Sequence, residues 1–163
     1  DVYKRQVSEE AREAALKSMK TLNRYARDVL KRHTVHACTD VTGFSLAGHA
    51  LEMAEGSQVT IKIDTKKIPF LPDVEEYAKM GLVPEGTYRN KEFLREKIKL
   101  NDTIKESFED LLFDPQTSGG LLVSLKKKDA KEVLKRLQEQ EQTRYSKIVG
   151  EVEEKQEVHL IFL

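Results

Sequence analysis

Thr39-Asp40-Val41-Thr42-Gly43-Phe44-Ser45-Leu46-Ala47-Gly48-His49 is the stretch that decides the fold. The apolar run Val35 to Cys38 before it predicts a short strand, with Asp40 at its carboxyl end. Gly43 supplies a turn. A helix then opens, with Phe44, Ala47, Leu51 and Ala54 on one face and Gly56 as its stop. Open α/β sheets take their ligands at this kind of strand end. A carboxylate there is a hard oxygen ligand suited to Mg²⁺, which keeps waters and phosphate oxygens in its shell. Asp40 can also cap the helix or turn the chain through its own side chain, and spacing alone favours that reading.

Downstream, Asp114-Pro115-Gln116-Thr117-Ser118-Gly119-Gly120-Leu121-Leu122 is a second loop feeding a strand, Leu121 to Leu125. Thr117, Ser118, Gly119 and Gly120 offer hydroxyls and backbone N–H groups that can form an anion-binding concavity. A tight turn is the plainer reading of the same residues. Gly43 and Gly48 are spaced like phosphate-loop glycines. However, His49 stands in place of the lysine and Ala50 in place of the Mg²⁺-binding hydroxyl, so a Walker loop is rejected. Gly48 is then a packing glycine, and His49 a core histidine or one that supports a neighbour. Arg89 and Asn90, in a predicted loop with Gly86, are further candidates, since arginine can grip phosphate bidentately. A solvated surface arginine is the commoner case. Cys38, in an apolar strand, reads as a small buried hydrophobe rather than a nucleophile.

Outward from these two motifs, Ser8 caps a helix that carries Glu9 and Glu10 in its first turn. Ala15, Met19, Leu22, Ala26, Val29 and Leu30 extend it to near His33. Val59, Ile61 and Ile63 alternate with polar residues, as in a half-buried strand. Pro69 and Pro72 break the chain, and Asp73 to Lys79 is a short helix closed by Gly81. Residues 84–90 read as loop and residues 101–112 as helix. Residues 129–138 form a helix with Ala130, Val133, Leu134 and Leu137 inward. Lys126 to Lys128 read as a solvated loop. Residues 146–152 and 158–163 are two strands expected to pair as a hairpin across residues 153–156. The pattern predicts an α/β (α+β) layered domain with a mixed β-sheet flanked by helices.

The 163 residues suit one domain with a sizeable core. Lys+Arg and Asp+Glu both number 28, and a zero net charge argues against a dedicated nucleic-acid binder. No apolar run approaches the ~20 residues of a membrane span, and no secretory signal is visible. The single cysteine cannot form an intramolecular disulfide, which suits a reducing, cytoplasmic setting. The chain starts on Asp rather than Met and is expected to be part of a longer protein. Residues 1–6 are set aside as an unmatched segment, linker or foreign sequence.

Both motifs, in this order and with Ile68-Pro69 and Gly86-Thr87-Tyr88-Arg89-Asn90 between them, resemble the selenophosphate synthetase (selenide, water dikinase) family. The resemblance is to its C-terminal domain and runs over residues 7–163. It implies the fold of the aminoimidazole-ribonucleotide synthetase (PurM-like) superfamily's C-terminal domain. It also implies an ATP-dependent conversion of selenide to selenophosphate with release of AMP and orthophosphate, by a cytoplasmic homodimer. Asp40 would then help bind Mg²⁺ at the ATP site, and Thr117 to Gly120 would line the phosphate side of the cleft. Where the family usually has glycine, this chain has Ser45. The resemblance places the N-terminal ATP-binding domain, with its reactive Cys or selenocysteine and partner lysine, outside these residues. No catalytic residue is therefore expected here, and the chain alone should be nearly inert. Two alternatives remain open at this point. One is another superfamily enzyme of purine-synthetase, thiamine-phosphate kinase or hydrogenase-maturation type; the other is a stand-alone binding module without catalysis.

Overall fold

Asp40 lies on a strand that belongs to a small sheet of its own. In the computed structural model, which describes residues 7–163, β1 (Val35–Asp40) runs antiparallel to β4 (Leu121–Leu125). Asp40 lies opposite Leu121, and Cys38 opposite Val123. The segment 1–6 lies outside the described residues. The larger sheet has the order β3 (Ile98–Leu100), β6 (Leu160–Phe162), β2 (Val59–Ile63), β5 (Gly150–Glu154). β6 is parallel to both β2 and β3, and β5 is antiparallel to β2, so this sheet is mixed.

The last two strands do not pair as a hairpin, because β2 lies between them. Burial explains the order. Leu160 and Phe162 of β6 are fully buried and need the central slot. The acidic β5 tolerates an edge, where charged side chains also discourage pairing with other chains. Gly150 allows the close approach to β2, since a Cβ there would overlap the Lys62 carbonyl oxygen. The alternation expected over residues 59–63 breaks at Thr60, a polar residue that is fully buried. Its Oγ1 donates to the Val158 carbonyl at 2.7 Å and accepts from the Gln156 N–H at 2.8 Å, which pins the return into β6.

α3 (Ser45–Ser57) packs Ala47, Ala50, Leu51 and Ala54 onto Ile61, Ile63, Leu160 and Phe162, with Leu112 and Phe113 closing the core. Small residues on that helix face let it lie close to the sheet. A second cluster joins Val29 and Leu30 of α2 (Arg24–Leu30) to Val133 of α7 (Lys127–Gln138), over Leu121, Val123 and Leu125 of β4. Leu122 turns the other way, into the main core. The β1–β4 ribbon is thus held from both faces, and the loops that leave β1 and enter β4 rest on a fixed base.

Several boundaries differ from the sequence reading. The single helix expected over residues 9–33 is two, α1 (Glu9–Lys20) and α2. Thr21 adopts an extended conformation and bonds back to the Lys17 carbonyl at 2.8 Å, ending α1. α3 runs past Gly56, and Gln58 takes the left-handed turn after it at φ 53°. α4 (Val74–Lys79) is as expected. Residues 84–90 are not loop: α5 (Glu85–Leu94) starts directly after Pro84, whose fixed φ suits a helix entry. Helix in the region 101–112 is confined to α6 (Glu106–Leu112), because Asn101 Oδ1 accepts from the N–H and hydroxyl of Thr103 and builds a turn instead. Lys127 and Lys128 lie in the first turn of α7 rather than in a loop. No helix among the described residues is long and apolar enough to cross a membrane.

Candidate functional site

The two motif loops are laid against each other at one end of the β1–β4 ribbon. Val41 donates to the Gly120 carbonyl at 2.9 Å, and Gln116 donates to the Thr42 carbonyl at 3.0 Å. A Cβ at Gly119 would overlap the Val41 carbonyl oxygen, so only glycine permits this contact. Asn90 on α5 donates from Nδ2 to the carbonyls of Gly43 at 3.1 Å and Phe113 at 3.0 Å, tying both loops together. Asn23, just before α2, donates to the Gly119 carbonyl at 3.0 Å. The break between α1 and α2 thereby serves the site.

Asp40 is exposed at the end of β1. Among the described residues, no hydrogen bond or ion pair engages its carboxylate. Asp40 does not cap α3; in the first turn of that helix, Ser45 Oγ accepts from the Gly48 N–H at 3.4 Å. Ser45 is fully buried and holds φ 67°, a left-handed conformation that glycine adopts freely and serine only at a cost of about 1 kcal/mol.

On the β4 side, Ser118 takes φ 51°, and Thr117, Ser118 and Gly120 are exposed. Among the described residues, the backbone N–H groups of 117–120 have no hydrogen-bond acceptor. A left-handed residue within such a run is one way a chain turns successive N–H groups toward an anion. An unengaged carboxylate and a row of free donors therefore sit side by side, an arrangement that can hold a cation and its phosphate counter-charge together. No group of three or more His, Cys, Asp or Glu side chains among the described residues could hold a metal by itself.

The remaining candidates are placed elsewhere. Arg89 pairs with Glu85 at 3.3 Å on the outer face of α5, while Asn90 turns inward, because neighbours on a helix diverge by about 100°. Cys38 is exposed, not buried, because its strand has no partner on its outer edge among the described residues. Desolvation and the nearby Asp40 carboxylate raise its pKa, which leaves little reactive thiolate at neutral pH. Asp114 is half-buried, and burial raises its pKa against the lowering effect of bonds from Thr87 and from Gln116 at 2.9 Å. Its role is to shape the loop. Gly48 packs, as expected: a Cβ there would meet the Phe44 ring at 2.6 Å.

His49, for which the sequence defines no partner, is engaged on both ring nitrogens. Its Nε2 lies 3.0 Å from Thr42 Oγ1, and its Nδ1 lies 3.0 Å from Glu52 Oε2. Glu52 three residues on, on the same helix face, was the available signal.

Residues 3–162 match the family model described as AIR synthase related protein, C-terminal domain. The selenide, water dikinase of Clostridium botulinum (strain Eklund 17B / Type B) is 47% identical over 137 residues, covering 84% of this chain and 39% of that protein. That of Caldanaerobacter subterraneus subsp. tengcongensis is 47% identical over 144 residues, covering 88% and 41%. Selenide, water dikinase 2 of Peptoclostridium acidaminophilum is 41% identical over 157 residues, covering 96% and 45%. The chain thus spans about two fifths of the length of the relatives it matches. Among solved structures, E. coli HypE aligns with a TM-score of 0.59 at 19% identity, over 83% of this chain and 34% of that one. This likeness concerns the fold.

Proposed function

We infer that this chain, which belongs to the AIR synthase related protein, C-terminal domain family, forms the C-terminal part of a selenide, water dikinase. The observation that carries the reading is its identity of 41–47% to proteins of that name over 84–96% of its length. The reaction is conversion of ATP, selenide and water to selenophosphate, AMP and orthophosphate. The whole enzyme is proposed to be a cytoplasmic homodimer with an N-terminal ATP-binding domain ahead of these residues. That domain would carry the reactive selenium-handling group.

Asp40 is the proposed Mg²⁺ ligand of this domain, and the N–H groups and hydroxyls of Thr117 to Gly120 are its proposed phosphate contacts. An exposed, unpaired carboxylate fits an ion that uses one or two protein carboxylates and fills its shell with water and phosphate. Bound Mg²⁺ would supply charge neutralisation at the phosphate oxygens. The chain's own residues would orient the phosphate through fixed N–H groups and hold the loops in register through Asn23, Asn90 and Gly119. Positioning of this kind is most of what phosphoryl transfer asks of a protein.

One carboxylate leaves Mg²⁺ mostly hydrated and weakly held. The 163-residue chain alone is therefore expected to bind Mg²⁺-ATP no tighter than about 1 mM, a loss of several kcal/mol against a typical micromolar nucleotide site. Calorimetric titration of the purified chain checks this. Micromolar binding would show that the site is complete within these residues, contrary to the proposal.

A further inference from the structure

Thr42 is the hinge of the site. Its carbonyl accepts from Ser45 at 2.9 Å and from Gln116 at 3.0 Å, so it joins the loop after Asp40 both to the start of α3 and to the loop before Thr117. Its hydroxyl has one partner among the described residues, His49 Nε2. His49 is held in turn by Glu52, and its ring stands edge-on to Phe44 at 5.9 Å between centroids. The imidazole is largely buried, whereas Glu52 is mostly exposed.

The chemistry of the partners fixes the direction of this chain. A carboxylate has no proton to give, so Nδ1 must carry the hydrogen that Glu52 accepts. In the neutral ring Nε2 is then an acceptor, and the Thr42 hydroxyl must donate to it. Thr42 is thereby locked in one rotamer, with its oxygen lone pairs turned away from the histidine.

We propose that His49, oriented by Glu52, is a positioning residue that sets Thr42 and through it the mutual placement of Asp40 and the Thr117–Gly120 donors. This rests on the reading of Asp40 and that loop as the Mg²⁺-nucleotide contacts. The relay couples the two halves of the site, because the residue it fixes is bonded to both loops. Its loss leaves the backbone bonds between the loops in place but frees the Thr42 side chain, which loosens the placement of the segment between Asp40 and α3.

Two measurements test this. Nitrogen-15 NMR of the imidazole in this chain, at about pH 8.5 where a free histidine is neutral, is expected to show the Nδ1–H tautomer with Nε2 as acceptor. Thr42→Val should move the Nε2 resonance, and Glu52→Gln should move Nδ1. An Nε2–H tautomer would overturn the relay. In the longer enzyme, His49→Phe keeps the ring packing against Phe44 and loses the acceptor, whereas His49→Gln offers a side-chain oxygen near the Nε2 position. His49→Phe is expected to raise half-saturating Mg²⁺ about tenfold or more, the usual scale for losing a residue that orients a ligand, and His49→Gln should recover much of it. A ring that served only packing would give the reverse order, with Phe tolerated and Gln not, and that result would overturn the proposal. Thr42→Ser against Thr42→Val repeats the test without disturbing the helix: Ser should stay near the native requirement and Val should match His49→Phe. If the unsubstituted enzyme makes no selenophosphate, the functional reading fails, and the tautomer still decides the relay.

Discussion

Asp40→Asn in the longer enzyme is expected to lower kcat/KM by about a hundredfold or more while leaving the fold intact, equivalent to about 2.7 kcal/mol of lost transition-state stabilisation. The substitution is nearly isosteric and removes one negative charge. That charge has no partner among the described residues, so the protein itself has little to lose. The melting temperature should stay within a few degrees, as for surface changes that break no contact. The cost falls on the metal, because a neutral amide oxygen is a far poorer ligand for Mg²⁺ than a carboxylate. Excess Mg²⁺ should restore part of the rate. Steady-state kinetics across a Mg²⁺ series, beside a thermal melt, checks both halves. Normal turnover in a folded variant would remove Asp40 from the site. A variant that unfolds would make it a structural residue after all.

Gly119→Ala is expected to destabilise the domain by about 3 kcal/mol, the upper range for forcing one methyl group into occupied space. The added Cβ would overlap the Val41 carbonyl oxygen, which is backbone and cannot rotate away. The clash opens the junction between the two motif loops and strains the Gly120–Val41 and Gly119–Asn23 bonds. For a chain of this length the melting temperature should fall by roughly 10 °C. Gly120→Ala is the control. A Cβ there meets nothing within 4 Å and the backbone φ is not positive, so stability should change by under about 0.5 kcal/mol. Urea denaturation of both variants separates the two glycines. Equal effects would mean that the close approach at Gly119 is not what holds the loops together.

The elements that position the site were legible in the sequence because each leaves a local mark. Asp40 follows an apolar run, and Gly43 and Gly119-Gly120 mark the turns. What escaped was set by distant partners. The break at Thr21 to Asn23 follows the helical spacing of Leu22 and Ala26 without a seam. Its purpose, the bond from Asn23 to Gly119, spans 96 residues. The position of β2 between β5 and β6 is likewise a tertiary choice, made by the burial of Leu160 and Phe162 and by Thr60 reaching residues 156 and 158. Gly86 and Pro84 look like turn residues, so the sequence of α5 reads as loop. The proline instead begins a helix, and the glycine makes room for Pro115, whose Cγ would lie 2.7 Å from a Cβ. Cys38 differs for a related reason: apolar neighbours predict a buried strand, but among the described residues β1 pairs with β4 alone and leaves the thiol exposed.

The proposed activity leaves a product signature that no related phosphotransfer shares. Phosphorus-31 NMR of the longer protein carrying this domain, with Mg²⁺-ATP and selenide under anaerobic conditions, reads all the products at once. The expected result is AMP, orthophosphate and selenophosphate in equal amounts, with selenophosphate absent when selenide is withheld. ADP as the end product, or ATP consumption with no phosphorus–selenium species formed, would contradict the assignment of this chain to a selenide, water dikinase.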